Sequence, residues 1–361
     1  MALIKFVLAL IIFVIAFAVG SSFPAHHSPS PKNVAYVTEE EGGISVIDLN
    51  SLRVIRRIDL GDLAPRGLVV THDGKYLVTA NKNTGDIAIF DTSSLNLIRR
   101  VHVGENPEFV KTDPSGRRLF VTHEPGSSGG PPSQRKVNAD NAKAEDDENG
   151  PPSEVATFHV GNWAPGPIFT AGQETESIEF SHDGKLMLVA NEVQDTIGVF
   201  DKATGQHIRD VDLKSYGTRP RGLKISPLGN EYAVTMESSG TLLLLDSNLS
   251  VKKAVPTGAK PYGVAFDRAG TRIFVAAALA RKLQVFSAAS LQLLAEIPTE
   301  QRCWHFTFTP DDSKILLACG RSGNIAVVDA LNYKQLQTIT GLKLPWGIVT
   351  YPSSYGSLGL P

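Results

Sequence analysis

A repeat of about 42 residues runs through most of this 361-residue chain and restricts what it can fold into. Six polar turns punctuate it: THDGK (71–75), DPSGR (113–117), SHDGK (181–185), SPLGN (226–230), DRAGT (267–271) and TPDDS (309–313). Most place Gly after two polar residues, as a tight hairpin with a left-handed residue requires. Apolar, strand-like segments flank each turn. A third strand follows a short loop, as in DIAIFD (86–91), TIGVFD (196–201), TLLLLD (241–246) and NIAVVD (324–329). Its closing Asp is expected to cap the next turn by accepting backbone N–H groups; Ser287 and His159 replace it in two units. A fourth strand follows, as in LIRRVHV (97–103), and helical periodicity is nearly absent. Four strands per unit at this period is the signature of a propeller blade.

The repeat also gives the blade number. The positions equivalent to Arg66 are Glu108, Glu176, Arg221, Tyr262, Trp304 and Trp346, and only the Glu108–Glu176 interval is much longer than the period. The first unit, NVAYVTE (33–39), matches the second strand of other units, such as KYLVTAN (75–81). It therefore lacks its innermost strand, which WGIVTYP (346–352) supplies from the far end, leaving no open sheet edge. The expected fold is all-β: a seven-bladed β-propeller of four-stranded antiparallel blades over 33–352, closed by the C-terminal strand completing blade 1. Residues 353–361 are left as a C-terminal tail.

The segments AYVTEEEGGISVIDL (35–49), LVTANKNTGDIAIFD (77–91) and LVANEVQDTIGVFD (188–201) resemble the Tyr-Val-Thr-Asn repeat family of seven-bladed propellers, over about 320 residues. The resemblance implies the fold. Its relatives include surface-layer modules, exported proteins, propellers accompanying quinone-dependent catabolism and, more distantly, seven-bladed lactonases and the haem d1 domain of nitrite reductase. Function does not follow from the fold.

Composition narrows the classes. The net charge of −2 argues against a nucleic-acid protein. Lys5 followed by FVLALIIFVIAFAV (6–19) and small residues reads as a signal peptide over 1–22, with a flexible leader over 23–32. The run is short for a membrane span, which needs ~20 residues, so no stable span is expected after cleavage. The expected location is periplasmic or secreted, and the expected state a monomer. Among motifs, CxxCH, a phosphate-binding Gly-Lys-Ser/Thr loop and a Gly-x-Ser-x-Gly elbow are all missing, and no cofactor is expected.

In a propeller the start of each inner strand and the end of each second strand meet at one face, the funnel mouth. The inner ring there divides into a charged arc, Arg66, Glu108, Glu176 and Arg221, and an aromatic arc, Tyr262, Trp304 and Trp346. Two Arg beside aromatics suit a ligand with an anionic group and a flat apolar body. Equally, Arg66–Glu108 and Glu176–Arg221 are placed to neutralise each other, with the aromatics as packing between blades. A second ring, where the second strands end, reads Glu39, Asn81, His123, Asn191, Met236, Ala277 and Cys319. His123 and His305 are the candidates for proton transfer, since His titrates near neutral pH; satisfied rim residues are the alternative. His123, Glu108, Glu124 and Glu176 are ligand types for a metal, but no known spacing supports one, and no metal is expected.

The extra residues of blade 3, 125–153, are rich in Gly, Pro, Ser and charge and cannot build a core. They read as a disordered insertion on the funnel face, a lid, a docking segment or a tolerated insertion. Trp163, in GNWAPGPIFTAGQET (161–175), is expected to cover the mouth. Cys303 and Cys319 lie eight residues either side of the turn at Asp311. Across a hairpin their Cα atoms would stand roughly 4.5–5.5 Å apart, within disulfide range. The function expected first is binding of a small anionic or aromatic ligand, or of a periplasmic protein partner, without catalysis. A lactonase-like enzyme acting on a small carboxylate and a structural platform at the cell surface stand behind it.

Overall fold

A computed structural model describes residues 33–125 and 150–360. Seven four-stranded antiparallel sheets form the ring. Their inner strands, Pro65–Val70, Pro107–Thr112, Thr175–Phe180, Pro220–Ile225, Pro261–Phe266, Cys303–Phe308 and Pro345–Tyr351, surround the central channel. Second and third strands are covered on both faces by neighbouring blades, which is why segments such as Thr241–Asp246 are continuously apolar. The strand-closing Asp residues cap as expected: Asp91 accepts from the N–H groups of Ser93 at 3.0 Å and Ser94 at 2.8 Å.

Closure joins the two ends of the fold. Pro345–Tyr351 pairs antiparallel with Val34–Glu39, Val34 opposite Tyr351. The Gly347 N–H donates to Thr38 Oγ1 at 3.0 Å.

Each inner strand changes register near its start, between Pro65 and Leu68 in blade 2 and between Pro107 and Val110 in blade 3, for example. Such bulges re-aim side chains, and the ring residues Arg66 and Glu108 sit inside them. The residue two before each ring position has a positive φ, from 48° at Asn106 to 61° at Arg219. Gly67 shows how closely blades approach here: a Cβ would stand 2.5 Å from the Glu108 carbonyl oxygen.

The tail is built into the channel. The Phe308 N–H donates to the Tyr355 carbonyl at 2.8 Å, and the Ser357 N–H donates to the Phe306 carbonyl at 2.9 Å. Leu358 is buried in the core. The sequence carries no repeat signal after 352, so this plug was not legible in it.

Cys303 and Cys319 are disulfide-bonded and stand directly opposite each other in blade 7. Their Cα atoms are 3.7 Å apart, closer than the range expected of a regular hairpin, and the register shift of this blade falls between Cys303 and His305. Residues 1–32 and 126–149, carrying the leader and most of the insertion, lie outside the described residues. Trp163 is not at the mouth: it follows the third strand of blade 3 and packs edge-on against Tyr76, 5.3 Å between centroids, at the opposite face.

Candidate functional site

All seven inner-ring residues converge on the channel, but they do not line an open mouth. Their exposures run from 3% for Glu108 and Trp304 to 8% for Glu176. They fill the channel.

The charged arc is a network of ion pairs. Arg66 Nη1 lies 2.6 Å from Glu108 Oε2 and its Nε 3.4 Å from Glu40. Arg221 Nη2 lies 2.6 Å from Glu176 Oε1, and its Nη1 lies 2.5 Å from Glu192 and 3.2 Å from Glu237. Arg219 reaches Glu174 at 2.8 Å and also pairs with Glu192. Lys82 meets Glu40 at 3.4 Å, and Lys260 meets Glu237 at 4.0 Å. Both arginines are therefore engaged by protein carboxylates, the arrangement in which the arc neutralises itself.

The partners Glu40, Lys82, Glu124, Glu192 and Glu237 occupy one repeat position, each directly after a member of the second ring. Successive residues of a strand point to opposite faces, so a ring chosen one residue earlier names side chains turned away from the network. The signal was present in the sequence as four Glu and one Lys at a single offset in blades 1 to 5. Ala278 and Gly320 complete that position in blades 6 and 7, and Gly320 leaves room for Trp304: a Cβ would fall 1.8 Å from its ring.

Glu124 is the exception in the network. Among the described residues its only hydrogen-bond donor is Asn106 Nδ2, at 2.9 Å to Oε2; Oε1 is buried without a partner. Carboxylate oxygens of Glu108, Glu124 and Glu176 all lie within 4.8 Å of one another, and all three residues are buried. Burial first, then repulsion from Glu108, Glu174 and Glu192, pushes the Glu124 carboxyl well above its usual range. Burial does the same to Glu176 against the opposing pull of Arg221. A carboxyl shifted in this direction, as Glu124 is, holds its proton to higher pH than a free one and is suited to passing it to a reacting group.

Neither histidine is as well placed. His305 is packed between Tyr262, edge-on with ring centroids 5.2 Å apart, and Trp346, tilted at 4.4 Å, with Nδ1 3.1 Å from Ser357 Oγ. Burial and the positive charges of Arg221 and Lys224 bring it down to about 3, so it stays neutral at physiological pH. His123 is buried with Nε2 3.2 Å from Glu154 Oε2, and burial lowers it too. The aromatic arc is continuous with the charged one: Arg221 donates to the Tyr262 hydroxyl at 2.7 Å and stacks 4.1 Å above its ring. The space beneath Tyr262 and His305 is only about 10 Å3, enough for roughly one water.

Open space lies to one side. A cleft of about 410 Å3 at the seam of blades 2 and 3 is lined by Lys82, Asn83, Thr84, Gly85, His102, Gly104, Glu105 and Asn106. Asn106 connects its wall to Glu124.

Two family descriptions match parts of this chain: the cytochrome d1 haem domain over residues 15–122, and the seven-bladed β-propeller lactonases over 157–253. The fold is that of the lactonase-like seven-bladed propellers. This propeller is similar to a functionally unknown protein from Desulfotomaculum acetoxidans, with TM-score 0.72, 15% identity and coverage of 88% of this chain and 98% of that one. It is similar to the periplasmic gluconolactonase of Pseudomonas aeruginosa, with TM-score 0.69, 18% identity and coverage of 87% and 98%. Hydrazine synthase of Kuenenia stuttgartiensis gives TM-score 0.65, 15% identity and coverage of 88% and 99%. A search of curated proteins found no match. Among the described residues no helix is long and apolar enough to cross a membrane.

Proposed function

We propose that the funnel face binds a neutral, hydroxyl-rich small molecule of the sugar-lactone class and hydrolyses its ester bond. The observation that carries this is Glu124, a buried carboxyl that burial pushes well above its usual range, with Oε1 free of hydrogen bonds and Oε2 bonded to Asn106 in the wall of a polar cleft. An anionic ligand is the poorer fit, because Arg66 and Arg221 are already neutralised. Hydroxyl groups suit the Asn, Thr, Lys and Glu side chains of the cleft, which offer both donors and acceptors. In the reaction, water adds to the lactone carbonyl, the ring C–O bond breaks, and the ring oxygen leaves with a proton. Glu124 supplies that proton and recovers one from the attacking water. The lactonase match over 157–253 and the gluconolactonase likeness support this reading. The disulfide and the apolar run at 6–19 support export to an oxidising compartment.

The test is proton release from glucono-1,5-lactone at pH 6.5, corrected for spontaneous hydrolysis. Turnover by the wild type is expected, with a loss of about 100-fold or more in Glu124→Gln while lactone binding persists in native mass spectrometry. Binding without turnover would instead make the protein a non-enzymatic binder.

A further inference from the structure

The opposite end of the channel carries a second cavity with different chemistry. It encloses about 200 Å3. Its walls are largely apolar, with Val69, Val70, Phe180, Val349 and the tail residues Leu358 and Leu360 among them. It opens to solvent between His72, Pro114 and Ser353 on the hairpin face, all three exposed.

Two polar features stand out in that wall. Thr350 Oγ1 is buried with no hydrogen-bond partner, and the residue is 2% exposed. Lys111, also buried, pairs with Glu179 at 2.6 Å. Behind them Lys224, 1% exposed, lies 3.8 Å from Glu179 and donates to the Gly359 carbonyl at 2.7 Å. Two buried ammonium groups thus face one carboxylate, Glu179. The nearby Lys202 and Asp113 pair with each other at 2.7 Å and do not change the balance.

We infer that this cavity is a binding site for a small monocarboxylic acid with an apolar body, its carboxylate taking hydrogen bonds from Lys111 and Thr350. The ligand charge supplies the missing counter-ion for the Lys111–Glu179–Lys224 cluster, and the apolar body occupies the Val and Leu wall. Burial and then the Lys111 charge bring the Lys224 amine well below its usual range, so a second negative charge beside this cluster would favour the ammonium form. The site is separate from the funnel cleft and does not depend on the lactone reading.

The experiment is calorimetric titration of the whole protein with sodium hexanoate, hexan-1-ol and hexylamine. Hexanoate should bind 1:1 and at least about tenfold more tightly than the other two, as a charge-assisted bond requires. Val69→Trp, which fills the cavity, should abolish binding. Thr350→Val, which keeps the shape, should weaken hexanoate several-fold and leave hexan-1-ol unchanged. Lys111→Met should weaken hexanoate about tenfold or more; since it also strips a partner from Glu179, the Thr350 and Val69 variants decide the matter if it folds poorly. Glu124→Gln should bind hexanoate like the wild type. Equal binding of hexanoate and hexan-1-ol, normal binding by Val69→Trp, or no hexanoate binding at millimolar concentration would overturn the proposal.

Discussion

The two halves of the funnel ring solve the same packing problem with different materials. In blades 2 to 5 the inner ring is Arg66, Glu108, Glu176 and Arg221, and the adjoining position supplies Lys82, Glu124, Glu192 and Glu237. In blades 6, 7 and 1 the inner ring is Tyr262, Trp304 and Trp346, and that position holds Ala278, Gly320 and Glu40. In blades 6 and 7 the large flat side chains have small residues, Ala278 and Gly320, at that position, whereas the charged side chains find partners of opposite sign across the ring. The difference concentrates the chemistry on one side. The aromatic half is buried side-chain packing, and the charged half holds more carboxylates than its cations can pair, leaving Glu124 with a free oxygen.

The most severe way to break the comparison is to remove the aromatic half's anchor. Deleting 343–361 takes away Trp346, the inner strand of blade 1 and the tail on which His305 rests. The expected result is loss of a cooperative melting transition, read by circular dichroism; an unchanged curve would mean that blade 1 does not need this strand. Breaking the charged half should cost less. Arg221→Ala leaves Glu176, Glu192 and Glu237 short of their shared cation, and removal of one partner from a buried pair costs about 3–5 kcal/mol. Urea denaturation should show it, and a loss below about 1 kcal/mol would mark the arc as loosely coupled.

The smallest effect sharpens the contrast. The folded-state pKa of Glu124 lies above its unfolded value. Its contribution to stability is thus fully present below the usual carboxylate range and is lost as pH rises toward the folded pKa. Glu124→Gln cannot titrate, so its melting temperature relative to the wild type should rise between pH 5 and pH 8, by a few degrees at most. An identical difference at both pH values would show that the carboxyl is ionised throughout.

The architecture was legible because each blade repeats the same turn, capping Asp and apolar strands, so that even the split blade 1 could be placed. The inner ring was legible for the same reason: one repeat position yielded all seven residues. Its role was not, since a residue number fixes a place around the channel but says nothing of how full the channel is. The partner ring was missed by a single residue, the step that turns a strand side chain to the other face. Neither the tail in the channel nor the cleft beside Asn106 belongs to the repeat, and no periodic argument reaches them.

The pairing of Val34–Glu39 with Pro345–Tyr351 bears on how the molecule comes into being. Thr38 meets Gly347 across 309 positions of sequence, so the ring closes only after the six intervening blades have been made. Contacts this distant form late. A growing chain carries the bare edge of its first blade throughout, and that edge is open to pairing with another chain. Folding of this propeller is therefore a race between its own last strand and a neighbour's. Dilution, or a chaperone that covers residues 34–39, should raise the yield on refolding more than any improvement to an individual blade.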